Sequence, residues 1–230
     1  MPLEFATTRR LRIAFERAGP SGGQPMILVH GWPDSLRTWD GVLPQLHEAG
    51  YETIVPSLRG YGETAFLDAA TPRSGETAAL AHDILDLADV LGIARFAVVG
   101  HDWGTRAVFD ASIIAPDRIT SAVALSLGWW PTSARRPLSW AQQQAFWYQW
   151  FLGTEHGAAA FRADPTGFCR RLWDTWSPAG WYTSEAWKTA SADFSSPDWC
   201  DVVIHYYRAR WQQAEPDPAF AELSGKVREA

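Results

Sequence analysis

The 230-residue chain is 47% hydrophobic with a net charge of -6, enough apolar material to bury a core of one or two domains at a prior of about 150 residues each. The acidic balance argues against a nucleic-acid partner, which needs clustered Lys and Arg; the only basic doublets are Arg9-Arg10, Arg135-Arg136 and Arg170-Arg171. No apolar run approaches the roughly 18 residues of a membrane span and MPLEFATTRR has no signal-like apolar core, so a cytoplasmic protein without a membrane partner is expected.

Residues 11–16 alternate apolar and charged side chains as a half-buried strand does, 20–23 turn, and 25–30 (PMILVH) read as a buried strand. His30-Gly31-Trp32-Pro33-Asp34-Ser35 is a turn opening a helix, with Asp34 as its cap, Trp39, Val42, Leu43 and Leu46 on one face, and Gly50 at its end. A strand at 51–56 leads to the glycine-rich turn Arg59-Gly60-Tyr61-Gly62. Ser74 then caps a helix burying Leu80, Ile84, Leu87 and Leu91. Residues 96–99 are a short apolar strand, 103–115 the helix leaving it, stopped by Pro116, and 119–127 another strand. This alternation predicts a parallel sheet with helices on both faces and ligands at the carboxyl ends of the strands, where His30, Asp102 and Gly128 fall.

From residue 129 the strand pattern stops. Eleven of the fourteen tryptophans lie between Trp129 and Trp211, and helical segments near 139–152, 164–176, 183–194 and 196–213 are separated by Gly, Pro and Ser. Asp164-Pro165 and Ser196-Pro197 are cap-plus-proline helix starts. The expected division is a core over 1–128, a helical Trp-rich lid over 129–225 and the start of a return to the core over 226–230. Cys169 and Cys200 lack metal-ligand spacing and read as reduced thiols.

Gly100-His101-Asp102-Trp103-Gly104 directly follows the strand at 96–99. Flanking glycines permit a strand-to-helix turn too tight for side chains and push the middle residue, Asp102, into solvent above the sheet. A serine there must give its proton to a base before attacking, whereas a carboxylate with a reference pKa of about 3.9 is ionised at neutral pH. Such a nucleophile suits displacement at a saturated carbon carrying a halide or a strained oxygen, leaving an ester for water to hydrolyse. On the pentapeptide alone, an Asp that merely caps the following helix is an equally good reading.

HGWPDS before a helix, LRGYGET, VGHDWG and the helical insert, in this order, together resemble the α/β-hydrolase fold and within it the epoxide hydrolase and haloalkane dehalogenase branch, over nearly the whole chain. The resemblance implies a parallel-dominated sheet with flanking helices, an inserted helical lid, Asp102 as nucleophile and no cofactor or metal. It further implies an oxyanion hole made by the backbone N–H groups of Trp32 and Trp103, each worth about 3–4 kcal/mol to the charge that develops when water attacks the ester. His30, Gly31, Pro33, Gly100 and Gly104 would shape this site, His30 bracing its turn rather than titrating.

Epoxide opening needs an acid for the departing alkoxide. The two lid tyrosines of similar epoxide hydrolases match Tyr148 in Tyr148-Gln149 and Tyr207 in Tyr207-Arg208, phenols with a reference pKa of about 10 that donate while neutral. Tyr206 and Tyr207 stand about 100° apart on a helix, so only one faces the site, and Tyr207 is chosen. Trp32, Trp103, Gln149 and Trp150 are expected to line the substrate. Neither His101 nor His205 is expected to act as a base.

The resemblance also implies an acid and a histidine after the lid, and neither is assigned: residues 213–230 are polar, no His follows His205, and Gly128 occupies the alternative acid position. The chain therefore reads as truncated before the last strands, able to alkylate Asp102 but not to release the product. The strand at 119–127 would then be an apolar edge open to self-association. The leading expectation is an epoxide hydrolase turning a small apolar epoxide into a vicinal diol. The alternatives are a haloalkane or haloacid dehalogenase, weakened because those lids resemble a His-Trp pair where Gln149 stands here, and a non-catalytic binder of hydrophobic ligands or an inactive fragment.

Overall fold

The computed structural model describes residues 2–128 and 138–230; Trp129, Trp130, Arg135 and Arg136, and with them the expected start of the lid at 129, lie outside the described residues. Among the described residues seven strands form one sheet: β1 (Leu3–Thr7), β2 (Leu11–Ala18), β3 (Gln24–Val29), β4 (Tyr51–Pro56), β5 (Ala65–Phe66), β6 (Phe96–His101) and β7 (Ile119–Leu125), in the spatial order β1-β2-β4-β3-β6-β7 with β5 on β2. β4, β3, β6 and β7 run parallel, while β2 pairs antiparallel with β1, β4 and β5. β1 and β5 are additions to the strands expected: β1 is mostly exposed on the sheet edge and β5 has two residues, so neither leaves a burial period in the sequence.

The central strands are buried on both faces, as parallel strands covered by helices must be. Met26, Leu28, Val55, Ala97 and Val99 pack on one side with Trp39 and Leu43. Their neighbours Ile27, Val29, Ile54, Phe96 and Val98 face the other side, against α2 (Thr77–Val90) and α3 (Trp103–Ile114).

Two expected helix starts shift. The segment after Ser35 is not one helix but a 3-10 turn (Leu36–Trp39) and a separate α1 (Leu43–Glu48), leaving Val42 exposed. Pro44 explains the break, since it has no N–H to continue a helix from the preceding turn and disfavours the helical conformation before it. The cap is Ser35, whose hydroxyl accepts from the Arg37 N–H; Asp34 instead accepts from the Ser35 N–H. Likewise α2 starts after Glu76, and Ser74 sits two residues upstream, its hydroxyl receiving the Glu76 N–H at 3.4 Å.

After the undescribed segment the chain is helical: α4 (Trp140–Ala145), α5 (Trp147–Gly153), α6 (Glu155–Ala163), α7 (Pro165–Trp176), α8 (Ser184–Ser191) and α9 (Trp199–Arg210). The apolar faces of α5 to α9 join the core cluster on the α2 and α3 side, while α4 buries no residue. Specific bonds fasten this layer: the Trp173 indole N–H donates to the Pro33 carbonyl, and His205 Nδ1 accepts the Gly75 N–H at 3.0 Å. Gly75 permits that docking, because a Cβ there would lie 2.4 Å from the Tyr206 ring.

Below, Arg59 is fully buried in a bidentate pair with Asp83, 2.7 Å on each arm, and also donates to the carbonyls of Ser74 and Ala79. The chain rejoins the core earlier than position 226: the Asp217 N–H donates to Glu76, Phe220 packs on Ala78 and Ala79, and α10 (Ala221–Glu229) lies against α2 and α3. Cys169 and Cys200 are free thiols.

Candidate active site

β6 ends and α3 begins around Asp102, whose backbone takes φ 53° and ψ -114°. A positive φ is uncommon for a residue with a side chain and costs about 1–3 kcal/mol, so the surrounding packing must impose it. That packing is close. A Cβ at Gly104 would lie 2.1 Å from the Val29 carbonyl oxygen, and one at Gly31 would lie 2.5 Å from the Asp102 Cβ. The two glycines let the elbow, the end of β3 and the turn after it share one small volume.

Asp102 stands where a helix cap would, yet its side chain accepts no bond from the first turn of α3. Its Oδ1 instead accepts the Trp32 backbone N–H at 3.0 Å, across seventy residues of sequence. One carboxylate oxygen is thus held at a fixed backbone donor. Trp103 follows at the first position of α3, and its N–H is among the helix-start donors that no helical carbonyl can reach. The Asp102 N–H is bound by the Ser126 hydroxyl at 3.1 Å, a group beyond β7 that sequence reasoning missed. Ser126 also has a positive φ, 69°, a conformation that side-chain-bearing residues rarely show and that sequence does not mark.

His30 is fully buried. Its Nδ1–H donates to the Gly31 carbonyl at 3.0 Å and its Nε2 accepts the Leu58 N–H at 3.1 Å. Burial pushes its pKa down to about 4, so the ring is neutral and works as a brace between two loops. The Trp32–Pro33 peptide is cis.

The lid closes this floor with aromatic rings. Tyr148 stacks on Trp32 with centroids 5.7 Å apart, and Tyr207 meets Trp32 edge-on at 5.4 Å and Tyr148 at 5.4 Å, nearly perpendicular. The Tyr207 hydroxyl accepts from the Trp103 indole N–H at 3.4 Å, and the Tyr148 hydroxyl accepts from Gln149 Nε2 at 2.8 Å. Each phenol oxygen thus receives a hydrogen bond while its own proton stays available. Burial, with the nearby Asp102 charge adding to it, raises Tyr148 to about 12; burial, then the neighbouring Tyr148 phenol and the Asp102 charge, raise Tyr207 as well, so both stay protonated donors.

Tyr206 is fully buried and stacks flat on Trp103 at 4.3 Å, whereas Tyr207 meets that ring edge-on at 5.5 Å. Gln149 ties Tyr148 to the Trp211 indole N–H, 3.1 Å from Oε1. Trp150 is not in this ring group; it packs on Trp211 at 4.3 Å and its indole N–H donates to the Gln143 carbonyl. Among the described residues no group of three or more His, Cys, Asp or Glu side chains could hold a metal ion.

A carboxylate on a strand-to-helix elbow, with one oxygen on a backbone N–H and helices packed above it, is the layout of the elbow in α/β-hydrolase folds. The chain belongs to the α/β hydrolase fold family, whose model matches residues 24–227. Epoxide hydrolase A of Mycobacterium tuberculosis is 30% identical over 177 residues, 75% of this chain and 54% of that protein. Epoxide hydrolase 3 of Siraitia grosvenorii is 33% identical over 144 residues, 63% of this chain and 45% of its own. The chain therefore spans about half the length of the curated relatives it matches. A crystal structure of a candidate epoxide hydrolase from Klebsiella pneumoniae superposes with a TM-score of 0.93 at 32% identity, covering 99% of this chain and 76% of that one. The likeness places the chain in the epoxide hydrolase branch of the family. Among the described residues no helix is long and apolar enough to cross a membrane.

Proposed function

We propose that the site opens an epoxide by attack of Asp102, with Tyr148 and Tyr207 as the acids. The observation that carries this reading is the convergence of two protonated phenols, from α5 and α9, over a carboxylate already engaged at one oxygen by the Trp32 N–H. The free carboxylate oxygen forms a bond to an epoxide carbon, the carbon–oxygen bond of the ring breaks, and the departing oxygen takes a phenol proton. The product is an ester of Asp102 whose carbonyl oxygen lies at the Trp32 N–H, with Trp103 offering the second donor for the later attack by water.

Of the six histidines, His30 and His205 are bound to backbone groups, and His47, His82 and His156 stand beside Thr53, Asp86 and Phe151. His101 precedes Asp102 with its Nδ1 buried and unpartnered. The reading covers the alkylation of Asp102 and assigns no residue to the later activation of water. The rings of Trp32, Tyr148 and Tyr207 give a small epoxide an apolar lining. The exposed outer strand β7 offers a second copy an edge for pairing, with Val123 and Leu125 uncovered.

A second reading has one observation of its own. The Trp32 indole N–H is buried without an acceptor, a donor that a departing halide could use, which fits a haloalkane or haloacid dehalogenase. Incubating the protein with styrene oxide and with 1-bromobutane, and measuring protein alkylation and bromide release, separates the two. The epoxide reading expects alkylation by styrene oxide that falls sharply in Tyr148→Phe/Tyr207→Phe; bromide release unchanged by that double substitution supports the dehalogenase.

A further inference from the structure

Two guanidinium groups that feel the Asp102 charge have no part in the chemistry just described. Arg106 lies one turn beyond Asp102 on α3, and Arg210 lies three residues beyond Tyr207 on α9, so each shares a helix face with a residue of the site. Arg106 sits over the Trp103 ring at 5.2 Å, the ring whose N–H meets Tyr207. Arg210 sits over the Trp211 ring at 5.2 Å, whose N–H leads through Gln149 to Tyr148.

Other arginines of the chain, Arg59, Arg73, Arg118 and Arg208, each hold a carboxylate. Among the described residues Arg106 and Arg210 have neither an ion pair nor a side-chain hydrogen bond, and Arg210 Nε is shielded from solvent without a partner. Both are half-buried, and burial lowers the pKa of each, Arg210 to about 10 with Arg106 contributing by repulsion; both remain cations at neutral pH. Desolvated and unpaired cations are costly unless something answers them.

The groups facing the pair are Asp102, Asp110 and the phenols of Tyr148 and Tyr207. Asp110, one turn further along α3, is buried and pushed up to about 6, and it balances at most one of the two cations. Alkylation turns Asp102 into a neutral ester, so the site then lacks one negative charge.

We propose that Arg106 and Arg210 form a carboxylate subsite beside Asp102, so that the site prefers an epoxide bearing a carboxylate to a neutral epoxide of the same size. This rests on the epoxide reading and sharpens its substrate class from a wholly apolar molecule to one with an apolar body and a single anionic group. Guanidinium forks suit a planar carboxylate, and the Trp and Tyr rings suit the apolar part. The bond-making step at Asp102 is unchanged.

The test compares two epoxides that differ by carboxylate against methyl, trans-3-phenylglycidate and trans-β-methylstyrene oxide, by the rate at which each alkylates Asp102 in the intact protein at low salt. The glycidate should react about tenfold faster or more, the range expected of a hydrogen bond to a charged group. In Arg106→Gln and Arg210→Gln that ratio should fall toward one. A measurement on the unsubstituted protein stands beside the variants: phenylacetate should protect Asp102 from styrene oxide at a concentration about tenfold lower than phenylacetamide does. Equal rates for the two epoxides, a ratio that survives both substitutions, or equal protection by acid and amide overturns the subsite while leaving the epoxide reading intact. No alkylation by any of these epoxides overturns both.

Discussion

Asp102 concentrates the local constraints: a positive φ, a backbone N–H held by Ser126, and one carboxylate oxygen held by Trp32. Asp102→Asn should abolish alkylation by styrene oxide, since an amide is not a comparable nucleophile. Tyr148→Phe and Tyr207→Phe should each slow it by about a hundredfold, the lower range for a positioned general acid; stopped reactions followed by intact mass measure both. Because burial holds Tyr148 near 12 and Tyr207 above its usual range, the alkylation rate should not fall between pH 7 and pH 10; a decline across that interval would mean a phenol that ionises early. His30 gives the opposite sort of pH dependence. Its folded pKa of about 4 lies below the ordinary 6.5, so the unfolded chain binds the extra proton first and stability is lost as pH falls from 6.5 to about 4. That amounts to about 3 kcal/mol across the window. Asp110 and Asp193, both raised to about 6 by burial, act in the other direction, so the comparison must be made against His30→Asn. Urea denaturation at pH 7 and pH 5 should show the gap between the two proteins narrowing at the lower pH.

At the level of elements, the buried Arg59–Asp83 pair locks the loop after β4 to α2. Arg59→Ala leaves a buried carboxylate uncompensated and should cost about 3–5 kcal/mol in urea denaturation, whereas a loss below about 1 kcal/mol would show that the pair adds nothing. The elements that carry the site were legible in the sequence. PMILVH and FAVVGH are short apolar runs that end in glycine-containing turns, and these are the signals of buried parallel strands entering loops. Pro44, which interrupts the helix expected after Ser35, is a local signal that the apolar spacing of Trp39, Val42, Leu43 and Leu46 masked. The rest of what was not legible depends on neighbours outside the segment: β1 pairs with the edge that β2 offers it. The choice between Tyr206 and Tyr207 needed the Trp103 ring, which stacks with one and hydrogen-bonds the other. Ser126, Arg106 and Arg210 carry no motif at all; their place at the site follows from the packing of β7, α3 and α9 around Asp102.

The whole molecule joins a parallel-centred sheet to a layer of helices by a few polar bonds, Trp173 to Pro33 and His205 to Gly75, and by one continuous apolar cluster. Among the described residues the lid has no core of its own, so lid and sheet should unfold together in a single transition. At the far edge of the sheet, residues 120–126 are exposed. If that edge pairs with a second copy, Val123→Lys should shift the sedimentation profile toward the monomer, because a buried charge opposes strand addition. A protein that is monomeric at all concentrations before substitution contradicts the pairing. The most direct measurement of the central claim is intact-mass analysis with peptide mapping after incubation with styrene oxide. One added styrene oxide on the peptide containing Asp102, absent in Asp102→Asn, is the result expected; an unmodified protein, or modification that persists in Asp102→Asn, contradicts it.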